Sequence, residues 1–146
     1  MEKPITRFRG TWSFLSNFFP ALIVLNGKTY PTVEHAYQAA KTVREEERVA
    51  IRQAPSPAQA KRLGQRVTLR PDWEQVKLGI MLDLLRRKFQ DPALRRKLLS
   101  TGNAPLIEGN HWGDRFWGCV LEKGRWVGKN HLGRLLMRVR ASAAPE

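Results

Sequence analysis

The chain holds one cysteine, Cys119, so no disulfide can form within it and a reducing compartment is expected. No stretch approaches the roughly 18 apolar residues of a membrane span, and the opening MEKPITRFRG lacks the apolar core of a secretory signal. These absences lead to the expectation of a soluble cytosolic protein with no membrane partner. The three histidines, His35, His111 and His131, are scattered, and none stands at ligand spacing from another His or from a Cys. No metal and no cofactor is therefore expected. A G-x-S-x-G elbow and a Rossmann glycine fingerprint are both missing. The segment GRWVGKN looks briefly like a phosphate loop, but three residues separate its glycines where the Walker pattern needs four, and Asn130 follows Lys129 where Ser or Thr is required.

Acidic residues are also scarce. Thirteen stand against 26 Lys and Arg, which leaves a net charge of +13. Such a field attracts anions, either phosphorylated small molecules or nucleic acid. Between Lys61 and Ser100 eleven basic residues face four acidic ones, with LLRRKF and LRRKLL on successive segments. A basic solvated surface explains the charge equally well. With 42% hydrophobic and 27% charged residues the chain belongs with folded proteins, and 146 residues fit one domain with a real core.

Local signals place the elements. Asn26-Gly27, between an apolar run and Lys28-Thr29-Tyr30, predicts a two-residue hairpin. Thr32 is placed to cap a helix behind Pro31, and EEERVAIRQ reads as a second helix. Ser56 with Pro57 starts a third. DWEQVKLGIMLDLLRRKF is the strongest helix signal. Asp72 and Gln75 form a capping-box pattern, and Trp73, Val76, Ile80, Met81, Leu84 and Leu85 make its stripe. Arg86, Arg87 and Lys88 sit where the helix dipole favours cations. DPALRRKLLST predicts a short helix, and residues 102–127 read as loops with one or two strands. The last helix, NHLGRLLMRVR, has Asn130 as its cap and Leu132, Leu135, Leu136 and Val139 as its core face. The fold class expected is α+β, mainly helical, with a small antiparallel sheet.

The segment PTVEHAYQAAK raises the functional question. On a helix from Thr32, Glu34, Tyr37, Gln38 and Lys41 follow the i, i+3, i+4, i+7 pattern and share one face. Glu34 and Lys41 then lie two turns, about 10 Å, apart along the axis. That stripe is either an exposed polar face or the lining of a pocket. Lys77 raises the same choice, because it shares a face with Trp73, Ile80, Met81 and Leu84. It either snorkels to water or reaches an anion in a cleft. Gly128-Lys129-Asn130 leads into a helix N-terminus, where free N–H groups would favour an anion. The loop aromatics, Trp12, Phe14, Phe18, Trp112, Phe116 and Trp117, are either core anchors or stacking platforms for a flat ligand.

Taken in order, FLSNFFP, NGKTYPTVEHAYQAAK, DWEQVKLGIMLDLLRRKF, HWGDRFWG and GKNHLGRLLMRVR resemble the NADAR family, also called YbiA-like, from about Phe8 to Arg140. The resemblance implies an N-glycosidase. Its substrates would be phosphoribosylamino-pyrimidine intermediates of riboflavin synthesis or ADP-ribose attached to guanine in DNA. It also implies roles. Glu34, His35, Gln38 and Lys41 match the E-H-x-x-Q-x-x-K positions. Glu34, Lys41 and Asp114 would be catalytic, with Asp114 orienting a ribose hydroxyl or activating water. Ser16, Asn17 and Phe18 match S-N-F, and Trp73, Lys77 and Trp117 match aromatic and basic positions of the binding site. Lys129 and Asn130 would complete a phosphate contact. The stretch GCVLEKGRWV departs from the glycine-rich segment of some relatives, which bears on substrate choice. A non-catalytic ADP-ribose or nucleic-acid binding module is the alternative that the charge and the loop aromatics also fit.

Overall fold

The computed structural model describes residues 2–143. It divides into two units, one built from Met1–Ser16 with Phe89–Glu146 and the other from Asn17–Lys88.

The second unit is organised around a short helix. Strands β1 (Ile23–Leu25) and β2 (Lys28–Tyr30) pair antiparallel, Leu25 opposite Lys28. Asn26 and Gly27 turn between them with φ of 52° and 74°. Positive φ at both positions suits the twist of a two-residue hairpin, and the glycine takes it without steric cost. Helices α1 (Val33–Ala39), α2 (Glu45–Arg52), α3 (Pro57–Gly64) and α4 (Trp73–Lys88) follow. Thr32 caps α1, its side chain accepting the His35 N–H at 3.1 Å, and Ser56 caps α3 by accepting from Gln59. Every residue of α1 is buried, and α2, α3, α4 and the hairpin all pack against it. Ile23, Val33, Ala36, Ile51, Ala60, Met81, Leu84 and Leu85 form this core.

The α4 stripe is only partly the core face expected. Trp73, Met81, Leu84 and Leu85 are buried, whereas Val76 and Ile80 are half-exposed along a cleft. Lys88, expected at an exposed helix end, is 1% exposed. The Asp72 carboxylate does not serve as an ordinary capping box, because it holds the Arg70 guanidinium at 2.6 and 3.1 Å.

The first unit contains a 3-10 turn (Gly10–Leu15), helices α5 (Pro92–Ser100) and α6 (His131–Ser142), and a three-stranded sheet. Asp91 caps α5 by accepting from Leu94 at 3.0 Å. In the sheet, β4 (Cys119–Glu122) and β5 (Arg125–Val127) pair antiparallel, while the two-residue β3 (Gly109–Asn110) runs parallel to β4. The chain is thus α+β and mainly helical, with one short parallel pair beside its two antiparallel ones. Phe14, Leu15, Leu98, Leu106, Leu132, Leu136 and Val139 make this unit's core, and Cys119 is buried. No helix among the described residues is long and apolar enough to cross a membrane.

Candidate active site

The polar stripe of α1 is buried, which removes the exposed-face reading. Glu34 is 8% and Gln38 4% exposed. Gln38 Nε2 donates to Glu34 Oε2 at 2.6 Å, an i, i+4 pair that fixes the carboxylate on the helix. The Glu34 N–H donates to the Asn17 carbonyl at 3.1 Å, so the S-N-F loop is tied to the first turn of α1. Asn17 Nδ2 points at the Met81 sulfur, 3.6 Å away. Two buried acceptors beside this arrangement, Asn17 Oδ1 and Gln38 Oε1, have no hydrogen-bond partner. Buried acceptors left this way are uncommon and costly.

Lys41 lies past the helix. The helix ends at Ala39, and the Lys41 carbonyl accepts the Arg70 N–H at 2.8 Å, which turns the chain toward the loop before α4. Its side chain nevertheless stays with the stripe. Nζ lies 5.9 Å from the centroid of the Tyr37 ring, and Tyr37 in turn packs on Trp73 with centroids 5.1 Å apart. Burial holds the Lys41 ammonium below its ordinary pKa, the nearby Glu34 charge opposes that, and Lys61 and Lys77 push it down further. One acid and three lysines therefore share one electrostatic neighbourhood.

Lys77 does not simply snorkel. Its amine pairs with Glu74 at 2.7 Å with its side chain 16% exposed, and its charge is felt at Lys41. Lys61 was not among the expected site residues. The signal was its i, i+3 relation to Gly64 on α3, next to Ala60. Ala60 and Gly64 are the small buried residues of the face turned to α1, and Gly64 lies against the Gln38 side chain.

The His35 ring is held within the fold. It is 1% exposed, its Nδ1 lies 2.8 Å from Thr32 Oγ1, and its Nε2 lies 3.0 Å from the Ala54 carbonyl. With Nε2–H donating to Ala54, Nδ1 is left to accept from the Thr32 hydroxyl, and neither nitrogen remains for substrate. Phe18 stands 41% exposed.

The remaining expected residues lie in the first unit. Ser16 closes the 3-10 turn, its N–H donating to the Ser13 carbonyl at 2.9 Å. Asp114 braces its own turn: Oδ1 accepts the Phe116 and Trp117 N–H groups at 3.0 and 2.9 Å. Asn110 grips the same turn through the Asp114 N–H and carbonyl, at 3.0 and 2.9 Å. Trp117 meets Phe116 edge-on at 4.9 Å between centroids, and Phe116 packs on His131 at 4.6 Å.

At the start of α6, where an anion contact was expected, most of the backbone donors have partners within the fold. The N–H groups of Lys129, Asn130, His131 and Leu132 donate to the carbonyls of Arg115, Gly118, Phe116 and Trp117. These four backbone donors are spent within the fold. Asn130 adopts φ 52°, and its side chain joins Glu108 N–H and the Leu106 carbonyl, both at 3.0 Å, in place of capping the helix. Lys129 is exposed.

Chemically, the α1 cluster offers a buried carboxylate and an amine of lowered basicity. The first can face a developing positive charge or pass a proton. The second can supply a neutral nucleophile to an electrophilic carbon.

Comparison with known proteins gives this arrangement a context. The family model of the NADAR domain matches residues 6–143. The chain is similar to the N-glycosidase YbiA of Escherichia coli, at 41% identity over 152 residues, covering all of this chain and 92% of that one. It is also similar to a riboflavin biosynthesis protein of Vibrio vulnificus, at 40% identity over 147 residues, covering 96% of this chain but 38% of that longer one. Among solved structures, the NMR structure of E. coli YbiA superposes with a TM-score of 0.81 at 40% identity, covering 97% of this chain and 86% of that one.

Proposed function

The chain belongs to the NADAR family, and from that premise we propose that it is a hydrolase of N-glycosyl bonds acting on a phosphorylated ribose joined at C1 to a nucleobase-like amine. The observation that carries the reading is the buried Glu34 held by Gln38 at 2.6 Å, with Lys41 close enough for its basicity to respond to that charge.

Breaking a ribosyl C1–N bond builds positive charge on the sugar and negative charge on the leaving nitrogen. Glu34 faces the former as a carboxylate, or protonates the latter as an acid. In the covalent route the Lys41 amine attacks C1 and the C1–N bond breaks with its electron pair going to the base, which takes up a proton. Opening of the sugar ring then leaves a Schiff base at C1. Water adds to that carbon, the C1–lysine bond breaks, and the free amine and sugar aldehyde are restored. Lys61 and Lys77 supply positive potential for the sugar phosphate, and Trp73 backs the Tyr37 ring. The acceptors Asn17 Oδ1 and Gln38 Oε1 suit ribose hydroxyls or an exocyclic amine.

A small phosphoribosylamino-pyrimidine is the substrate favoured, in keeping with the riboflavin names among the relatives. ADP-ribose on guanine in DNA is the second candidate, supported by the net charge of +13. The test offers both substrates to wild type, Lys41→Ala and Glu34→Ala, and follows product release by liquid chromatography, with borohydride trapping of the Schiff base. Release by wild type, cut by about 10²–10⁴ in the Glu34 variant, is expected. Tight binding of both compounds without release would replace the enzyme with a binding module. Wild-type rates in a folded Lys41→Ala protein would remove the covalent route.

A further inference from the structure

The polar stripe is one face of α1. On the opposite face Ala36, Ala39 and Ala40 form a wall of a separate cleft of about 580 Å³, a volume in the range of small-molecule sites. Glu34, Lys41, Lys61 and Lys77 are not among its lining residues. Val76, Ile80 and Leu84 of α4 line it as well, so much of the lining is apolar.

Among the charged residues of the lining, cations outnumber acids, Lys28, Arg48, Arg52 and Arg70 against Glu45 and Asp83. Two of its charged groups are already neutralised by partners outside the cleft, Arg70 by Asp72 at 2.6 Å and Asp83 by Arg87 at 2.9 Å. What remains is Lys28, Arg48 and Arg52 against Glu45. Arg48 is anchored by Nε on the Thr42 carbonyl at 2.7 Å, and Arg52 lies over the Tyr30 ring at 5.9 Å. Both guanidiniums are thus held by the fold and not by a carboxylate.

A second, independent feature concerns the space itself. Gly79 lines the cleft from within the 16-residue α4. Glycine inside a helix lowers stability relative to alanine. Nothing nearby requires it: its φ is not positive, and a Cβ built there meets no atom within 4 Å. What the bare position preserves is the volume of the cleft.

We propose that this cleft binds a small organic anion. The ligand lays an apolar ring system between α1 and α4 and sets a phosphate, sulfonate or carboxylate on Arg48 and Arg52. Arginine forks favour such groups, and an inorganic anion would leave the apolar walls unused.

The probe is anilinonaphthalene sulfonate, with uncharged phenyl-naphthylamine as its control, followed by fluorescence on the full chain. Saturable binding of one sulfonate probe per chain is expected, with the uncharged control weaker. Arg52→Glu should weaken it about tenfold or more. Gly79→Phe, whose Cβ meets no atom within 4 Å, should obstruct the cleft and abolish binding while the far-ultraviolet circular dichroism is unchanged. Lys41→Ala should bind as wild type does, so the result stands apart from the glycosidase reading. Absence of saturable binding, equal binding of the uncharged control, or full binding by folded Gly79→Phe overturns the proposal.

Discussion

Lys88 makes folding stability rise with pH through the neutral and alkaline range. It is 1% exposed at the end of α4, with Nζ 5.8 Å from the Phe19 ring centroid, and burial lowers its pKa from 10.5 to about 7. Below pH 7 both folded and unfolded chains carry the proton, and the full cost of burying the ammonium is felt. Between pH 7 and 10.5 the unfolded chain binds more protons than the folded one, so stability rises with pH. Integrating that difference from pH 6.5 to 9.5 gives about 3 kcal/mol. With a urea slope of about 2 kcal/mol/M, the unfolding midpoint should climb by about 1.5 M. Two other groups titrate differently on folding in this range. Burial lowers Lys41, which adds to the rise. Burial raises the Cys119 thiol, with Glu108 contributing, so the unfolded thiol ionises first and the rise is opposed. Both effects are common to wild type and Lys88→Met, so the comparison of the two isolates Lys88. Urea titrations at the two pH values should show the climb in wild type and most of it gone in Lys88→Met, with the variant the more stable protein at pH 6.5. An equal climb in both proteins would refute the reasoning.

Two further substitutions probe the stripe and its support. A Cβ at Gly64 would collide with the Gln38 amide oxygen and come within 2.9 Å of the Gln38 Cβ. Gly64→Ala should therefore displace the glutamine that holds Glu34 and lower kcat about tenfold or more while the fold persists, read by steady-state kinetics beside circular dichroism. His35→Ala removes a buried ring bonded to Thr32 and Ala54. It should cost about 2–4 kcal/mol in urea unfolding, and a loss below 1 kcal/mol would contradict the structural role given to it.

The elements that could be read from sequence are those written in local chemistry. Asn26-Gly27, Thr32, Ser56-Pro57 and the periodic stripe of α6 each specify a turn, a cap or a face within a few residues, and each is found where expected, save that Leu135 of the α6 face is only half-buried. What escaped depends on partners far along the chain. Helix α1 ends before Lys41, in a segment where the Arg70 backbone takes the Lys41 carbonyl. Asp72 has the pattern of a capping box, yet Arg70, two residues back, takes its carboxylate. The donors at the start of α6 are consumed by carbonyls from residues 115–118. Lys88 was within reach of sequence reasoning. It stands seven residues after Met81 and three or four after Leu85 and Leu84, on the buried stripe, although the run Arg86-Arg87-Lys88 reads as solvated charge. The site was legible to the extent that α1 supplies it. Lys61 was missed, because its one local sign, the i, i+3 relation to Gly64, gains meaning only once α3 is seen to pack on α1.

The charges around Lys41 lead to one more measurable consequence. In the free protein burial, Lys61 and Lys77 all hold its pKa down, and Glu34 alone holds it up. A sugar phosphate seated beside Lys61 and Lys77 adds negative charge near Lys41 that offsets their depressing effect, so the amine of the bound complex should be more basic than that of the free protein. A nucleophilic amine must be neutral, and its activity is lost as pH falls through its pKa. The acidic limb of kcat/KM reports the free protein and that of kcat the complex. The kcat limb should therefore lie at higher pH than the kcat/KM limb. In Lys61→Met, with one of the depressing charges already gone, the kcat/KM limb should move up toward the kcat limb and the gap should narrow. Coincident limbs in wild type would mean that the phosphate does not sit on these lysines. An acidic limb unaffected by removing Lys61 would mean that the titrating group is not Lys41.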